Sequence, residues 1–270
     1  MSTFQTPQPI TAVVQIVAGT VRITATDRDD TVVDVAPRDP NRPSDVRIAE
    51  QTRVEFNNGT LKVTAGRRFI QLGRGGAVDI DIALPLGSRL DASSASADVH
   101  VDGTLADCKL ATASGHMVMD TVTGSVKADS ASGDIAVANL LGSATISTAS
   151  GDTRIGELLG DLLFQAASGS VVVGELRGDV KSRTASGSVT VDRAVTGAVS
   201  TQSSSGDIRV DIAEGTAAQL NLKTRSGTVS NGLESTDGPA DGDETLLVHV
   251  RTGSGDIAVR RSTADSASRA

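Results

Sequence analysis

From Gly115 onward, apolar and polar residues alternate in short bursts that recur on a fixed period. Counting from each Ser-Gly step, the second and fourth residues are Met117/Met119, Ile135/Val137, Thr153/Ile155, Val171/Val173, Val189/Val191 and Ile208/Val210. Period-two alternation is the pattern of a strand with one buried face. Three residues further on stand Val122, Leu140, Leu158, Leu176, Ala194 and Ala213, placed to close the strand at a corner. A second burst follows: Val126/Ala128, Ala144/Ile146, Leu162/Phe164, Val180/Ser182 and Val199/Thr201 are predicted to face in. Lys127, Asp129, Lys181, Arg183 and Gln202 lie between them and are predicted to face out.

The bursts are tied together by glycine. Gly115, Gly133, Gly151, Gly169 and Gly187 recur at a constant step of 18, and Gly206, Gly227 and Gly255 follow at 19, 21 and 28. Ala97 holds the same register upstream. Gly124, Gly142, Gly160 and Gly178 mark the halfway point, with Gly197 one residue late and Ala106 in the slot upstream. A strict period of two nine-residue halves is the signature of a solenoid. Glycine at that frequency costs a helix about 1 kcal/mol each. A barrel of hairpins remains an alternative, but it does not require stacked slots to hold similar shapes. In a solenoid, each residue sits about 4.8 Å above its equivalent in the next coil. The fold class is therefore all-β: a β-solenoid, or β-helix, of 18-residue two-strand coils.

The Ser-Gly steps then become corners. Glycine is expected to supply the backbone angles. Ser114, Ser132, Ser150, Ser168, Ser186 and Ser205 are expected to bond corner amides and neighbouring serines. Asp134, Asp152 and Asp207 are expected to accept from turn N–H groups. Ser130, Thr148, Thr184 and Ser203 face in near the corner and should satisfy backbone groups there.

Residues 10–90 lack the strict period but keep the alternation, as in "AVVQIVAGTVRITATD", and Asn58-Gly59 between two alternating runs is a hairpin signal. We read 1–9 as a disordered N-terminus and 10–262 as one solenoid domain. Within it, 10–90 are irregular or capping coils stacked on the same core, 91–232 the regular repeats, and 233–245 a loop. Residues 246–262 are the final coil, with Arg260-Arg261 guarding an open edge, and 263–270 are a disordered tail.

The run "VDIDIALPLGSRLDASSASADVHVDG", followed by the tandem "TASGDTRIGELLGDLLFQAASGSVVVGELRGDVKSRTASGSVTV", resembles a bacterial β-strand-repeat family of unknown function that carries an adhesin label. The resemblance covers roughly Val13 to Arg260. It implies a solenoid-like stack and brings no catalytic residues with it.

Composition adds constraints. Among 270 residues there is no Trp or Tyr, and Phe4, Phe56, Phe69 and Phe164 are the only aromatic rings of that class. Such a core must be built from aliphatic side chains in thin repeated layers. The net charge of −8 disfavours nucleic acid or an anionic membrane as partner. The local cluster Arg67, Arg68 and Arg74 is too short for a nucleic-acid footprint and reads as a solvated loop. The N-terminus has no basic or apolar signal region. No run approaches the ~18 apolar residues of a membrane span, so membrane insertion is not expected and the chain is expected to be cytoplasmic.

No catalytic constellation stands out. His100, His116 and His249 lie in no ligand spacing, and the single Cys108 reads as a small buried hydrophobe. Calcium-binding solenoids crowd carboxylates into their turns, but here Ser170 and Ser188 replace Asp in two successive coils. Polysaccharide cleavage would need a carboxylate cleft with aromatic platforms. An ice-binding column of Thr148 and Thr184 is broken by Ala166. No catalytic, cofactor or metal residue is assigned and no cofactor is expected. The chain is expected to be a non-enzymatic protein-interaction module, its partner another protein or itself. A self-assembling scaffold resembling the bactofilins and an exported surface adhesin are the alternatives.

Overall fold

The computed structural model describes residues 1–66, 76–234, 238–240 and 242–262. Two units are distinguished, Met1–Gly142 and Ser143–Ala270. In each, parallel strands form two ladders, one from the halves that follow Ser-Gly and one from the second halves. We call them ladder I and ladder II.

In the first unit, ladder I ends in β9 (Met117–Val122) and β11 (Ile135–Leu140), and ladder II in β8 (Cys108–Thr112) and β10 (Val126–Ser130). The partners lie one repeat apart, as in Ile135 beside Met117 and Val126 beside Cys108. Next come two long strands that run through both ladders, β7 (Arg89–Leu105) and β2 (Thr11–Thr26). Beyond β2 lie β5 (Thr60–Thr64) in ladder II and β6 (Val78–Pro85) in ladder I. The chain's first long strand is thus tucked between strands that follow it in sequence.

This outer layer is covered by antiparallel strands. β4 (Arg53–Asn57) pairs with β5 through the Asn58-Gly59 turn. Both turn residues have positive φ, as the hairpin signal requires. β3 (Asp30–Pro37) pairs with β6, and β1 (Ser2–Gln5) pairs with β3. Residues 2–5 are therefore ordered, contrary to the disordered terminus expected. Phe4 stacks on Phe56 with ring centroids 5.3 Å apart, and Thr6 shares a buried 2.8 Å hydroxyl bond with Thr31. A helix, α1 (Pro43–Gln51), was not expected at all. It starts on Pro43 with Asp45 in its first turn, both favourable there, but only Ile48 gives it a buried apolar residue. The buried carboxylate of Asp45 accepts from the Ala77 amide at 3.2 Å and the Asp39 amide at 3.3 Å.

The second unit begins with β12 (Ala144–Thr148) and β14 (Leu162–Ala166) in ladder II and β13 (Thr153–Leu159) in ladder I. β15 (Val171–Thr184) and β16 (Val189–Ser203) each run through both ladders, followed in ladder I by β17 (Ile208–Ile212). Here chain order and stacking order part. The next strands in sequence, β18 (Thr216–Thr224) and β19 (Val229–Asn231), do not pair with β16 and β17. That place is taken by β20 (Glu244–Thr252) and β21 (Ile257–Arg261), and β18 and β19 lie outside them. Arg260 and Arg261 pair inward with Asp211 and Ile212, and the outer strand β19 pairs with β21 only as far as Val259. Arg260 forks onto Asp211 at 3.1 and 3.2 Å, and Arg261 donates to the carbonyls of Ala213 and Thr216.

Every residue named above for the inward slots of the strands and for the strand-closing positions is buried in its own unit, Met117 and Phe164 included. Lys127, Asp129, Lys181, Arg183 and Gln202 are exposed. Each buried Val, Leu or Ile contributes about 1.5–3 kcal/mol, so a nearly aromatic-free core suffices when every layer repeats it. Phe69, the Arg67, Arg68 and Arg74 cluster, residues 235–237 and 241 of the 233–245 loop, and the 263–270 tail lie outside the described residues. No helix among the described residues is long and apolar enough to cross a membrane.

Candidate functional site

The Ala-Ser-Gly-Asp phrase is a corner, held by three contacts. First, at four of the corners the inward hydroxyl three residues before the glycine accepts its N–H: Ser130 for Gly133, Thr148 for Gly151, Thr184 for Gly187 and Ser203 for Gly206, at 2.8–2.9 Å, whereas Gly169 has Ala166 in that slot. Second, aspartates reach the equivalent amide of the neighbouring coil rather than their own turn. Asp152 accepts from Ser170 at 2.8 Å and Asp207 from Asp256 at 2.9 Å. Third, the preceding serines donate to a carbonyl of the neighbouring coil, as Ser132 does to Ala113 at 3.2 Å and Ser205 to Ala185 at 3.4 Å. Amide and serine-to-serine bonds were expected instead.

The corner glycines also act differently from expectation. Gly133, Gly187 and Gly206 do not have positive φ. A Cβ on any of them would lie 1.9 Å from the carbonyl oxygen of the glycine stacked beneath it. Glycine is needed for close backbone approach. The halfway glycines differ again: Gly178 and Gly197 do have positive φ, a region that L side chains avoid.

Cys108 is buried between Leu90 and Val126 in ladder II. Burial, helped by the neighbouring Asp107 charge, pushes its thiol up to about 12. His116 accepts the Asp134 amide through Nδ1 at 3.3 Å, its ring 3.5 Å from that carboxylate. The raised thiol of Cys108 is not an activated nucleophile. Among the described residues, no three His, Cys, Asp or Glu side chains converge on a possible metal position.

Outward positions of the second unit carry the electrostatic contrast. On ladder I, four of the arginines are paired in place, and Arg154 is exposed with no ion pair among the described residues. Glu175 meets Arg177 at 3.0 Å and Arg193 at 3.3 Å, Arg209 meets Asp192, and Asp211 meets Arg209 at 3.5 Å and Arg260 at 3.1 Å. Hydrogen bonding and charge from Asp211 raise Arg260 above its ordinary value.

Ladder II stacks Leu163, Lys181, Ser200, His249 and Asn221 in one outward column. The next column holds Gln165, Arg183, Gln202, Arg251 and Lys223. Lys181, Arg183, Arg251 and Lys223 are exposed, and among the described residues none forms an ion pair. Within this face is a concavity of about 330 Å³, whose walls include Lys181, Arg183, His249 and Arg251 and whose lining contains no carboxylate. A linear reading misses this face because its cations are far apart in the chain. Aligning outward slots coil by coil brings Lys181 and Arg183 forward. Placing Arg251 next to them requires knowing that β20 stacks inside β18.

Solved structures with likeness to the chain share little sequence with it. A structure described as a putative adhesin from Bacteroides fragilis is 12% identical, covers 96% of this chain and 95% of its own, and has a TM-score of 0.48. A putative lipid binding protein from Parabacteroides distasonis is 14% identical, with coverages of 97% and 96% and a TM-score of 0.45. A putative cell adhesion protein from Clostridium sporogenes is 9% identical, with coverages of 96% and 98% and a TM-score of 0.27. No curated protein matches. The repeat, its corners and its paired ladders meet a family match over residues 13–260, and the chain belongs to the Toastrack DUF4097 family.

Proposed function

We propose that this chain is a non-enzymatic, cytoplasmic interaction module that docks an acidic protein partner on the outer face of ladder II in its second unit. The observation that carries the reading is the set of four cations, Lys181, Arg183, Arg251 and Lys223, left without ion pairs on a chain of net charge −8. On ladder I, Arg177, Arg193, Arg209 and Arg260 are paired with carboxylates and Arg154 stands alone, whereas the four cations of ladder II are clustered and unpaired among the described residues. Stacked strands hold the outward side chains on a stiff frame, which lowers the ordering cost of docking. Complementary charge of this kind accelerates encounter and weakens with salt.

A photo-crosslinking residue at Gln202, introduced in the native host, tests this. The expected result is a discrete protein adduct that disappears when Lys181, Arg183, Arg251 and Lys223 are changed to Gln. The same probe at Arg154, outward on ladder I, should give none. Equal labelling from both positions would defeat the reading. Labelling of Lys109 or Lys127 by an impermeant reagent on intact cells would defeat the cytoplasmic placement.

Self-association is a second reading, favoured by the outermost layer of the second unit. Leu220 and Leu222 occupy inward slots of β18 yet are half-exposed, and Val229 in β19 is 43% exposed. Concentration-dependent growth in light scattering, lost on Leu220→Lys, would support it. A monomer at all concentrations would not.

A further inference from the structure

We propose that the concavity on ladder II is a binding site for a phosphoryl group, either as inorganic phosphate or carried on an ester. The inference goes beyond the docking reading, because it requires no protein partner.

The shape follows from the order of side-chain lengths across three neighbouring strands. β15 contributes Lys181 and Arg183, β20 contributes His249 and Arg251, and β16 between them contributes Ser200 and Gln202. The register sets Ser200 between Lys181 and His249, and Gln202 between Arg183 and Arg251. Two strand steps separate the walls by roughly 10 Å. A tetrahedral oxyanion with a hydrogen bond of about 2.8 Å on each side fits that span.

Its chemistry selects an anion with many acceptors. Two arginines, a lysine, a histidine, the outward hydroxyl of Ser200 and the amides of Gln165 and Gln202 surround the space with Leu163, and no carboxylate lines it. Two guanidinium forks suit paired phosphate oxygens better than a single acceptor. The inner hydroxyls beneath are already engaged, since Ser182 and Thr201 share a buried 2.9 Å bond, leaving Ser200 as the outward hydroxyl. Asp179, two residues before Lys181, is held back at the edge by accepting the Ala198 amide at 2.9 Å. Apart from the histidine, no aromatic ring lines the space, so stacking on a base or sugar contributes nothing.

Titration of the purified full chain with inorganic phosphate at low ionic strength, followed by calorimetry and phosphorus NMR, tests the site. Saturable binding is expected, weakened about tenfold or more by Arg251→Gln or Lys181→Gln. Ser200→Ala should weaken it less, and Arg154→Gln, which removes a cation from the other face, should leave it unchanged. Glycerol 2-phosphate in a parallel arm separates the two sources: binding equal to phosphate means the site accepts an ester, and binding of phosphate alone means the free ion. Non-saturable uptake, or equal weakening by Arg154→Gln, would overturn the proposal. If phosphate fails to bind while the Gln202 adduct still forms, the phosphoryl site falls and the docking reading stands. If phosphate binds saturably and no adduct forms, the phosphoryl site stands and the docking reading falls.

Discussion

The two outer faces of the second unit share one backbone frame and treat charge in opposite ways. On ladder I, Asp211 is almost buried and gathers Arg209 and Arg260 around it. On ladder II, Lys181, Arg183, Arg251 and Lys223 stand in two columns with Leu163, Ser200, Gln165 and Gln202, and among the described residues none forms an ion pair. Charges that neutralise each other across stacked coils hold those coils in register. Charges left open cost the fold little and remain available to a ligand. Position on a ladder therefore separates the paired arginines around Asp211 from the unpaired cations to which the proposed binding is assigned, where residue type alone does not.

Damage to the frame that both faces share should have the largest effect. Gly187→Ala puts a Cβ 1.9 Å from the Gly169 carbonyl oxygen. It should destabilise the chain by roughly 4 kcal/mol or more, read as a lost or greatly lowered thermal transition. Asp211→Ala should come next. It leaves Arg209 and Arg260 without their shared carboxylate, and about 1–3 kcal/mol should be lost in denaturant melts. The double change Lys181→Gln and Arg183→Gln on the opposite face should shift stability by no more than about 0.5 kcal/mol. Comparable losses from the two faces would break the contrast.

Smaller effects sharpen the same division between interior and surface. With its thiol pushed up to about 12, Cys108 is thiolate at roughly one part in ten thousand at about pH 8. It should resist a disulfide reagent until the chain unfolds. Rapid labelling under native conditions would show that the inner positions of ladder II are open. Smallest of all is Asp107, whose carboxyl is held below its ordinary value of 3.8 by the amide and hydroxyl of Ser125 and by Arg89. Its stabilising contribution is present above about pH 4 and is lost as pH falls through the lowered folded value. Asp107→Asn should therefore lower stability slightly at neutral pH, leave it nearly unchanged at strongly acid pH, and so flatten the acid limb of the stability profile.

Much of this was legible in the sequence, because a repeat prints its own geometry. The inward pairs, the outward Lys181 and Arg183, and the corner hydroxyls of Thr148 and Thr184 follow from counting along the repeat. Where the repeat ends, legibility ends with it. Helix α1 has one buried apolar residue and therefore no readable stripe. The corner glycines repeat for close approach to a neighbouring backbone, which a one-dimensional reading confuses with a need for positive φ. The inward placement of β20 and β21 is set by pairing across distant segments. Their sequence is regular, and that regularity carries no record of which layer they occupy.

That placement is the central claim, because it assembles Lys181, Arg183, His249 and Arg251 on one face. Paired cysteines test it directly. Ser200 and His249 are parallel neighbours, whereas Ser200 and Asn221 are separated by the β20 layer. Oxidation of the Ser200→Cys, His249→Cys variant should close a disulfide within the Cα range of about 4.4–6.8 Å that such bonds require, seen as a mobility shift on a non-reducing gel. The Ser200→Cys, Asn221→Cys variant should not close. Ready closure of the second pair and failure of the first would contradict the stacking order, and with it the site.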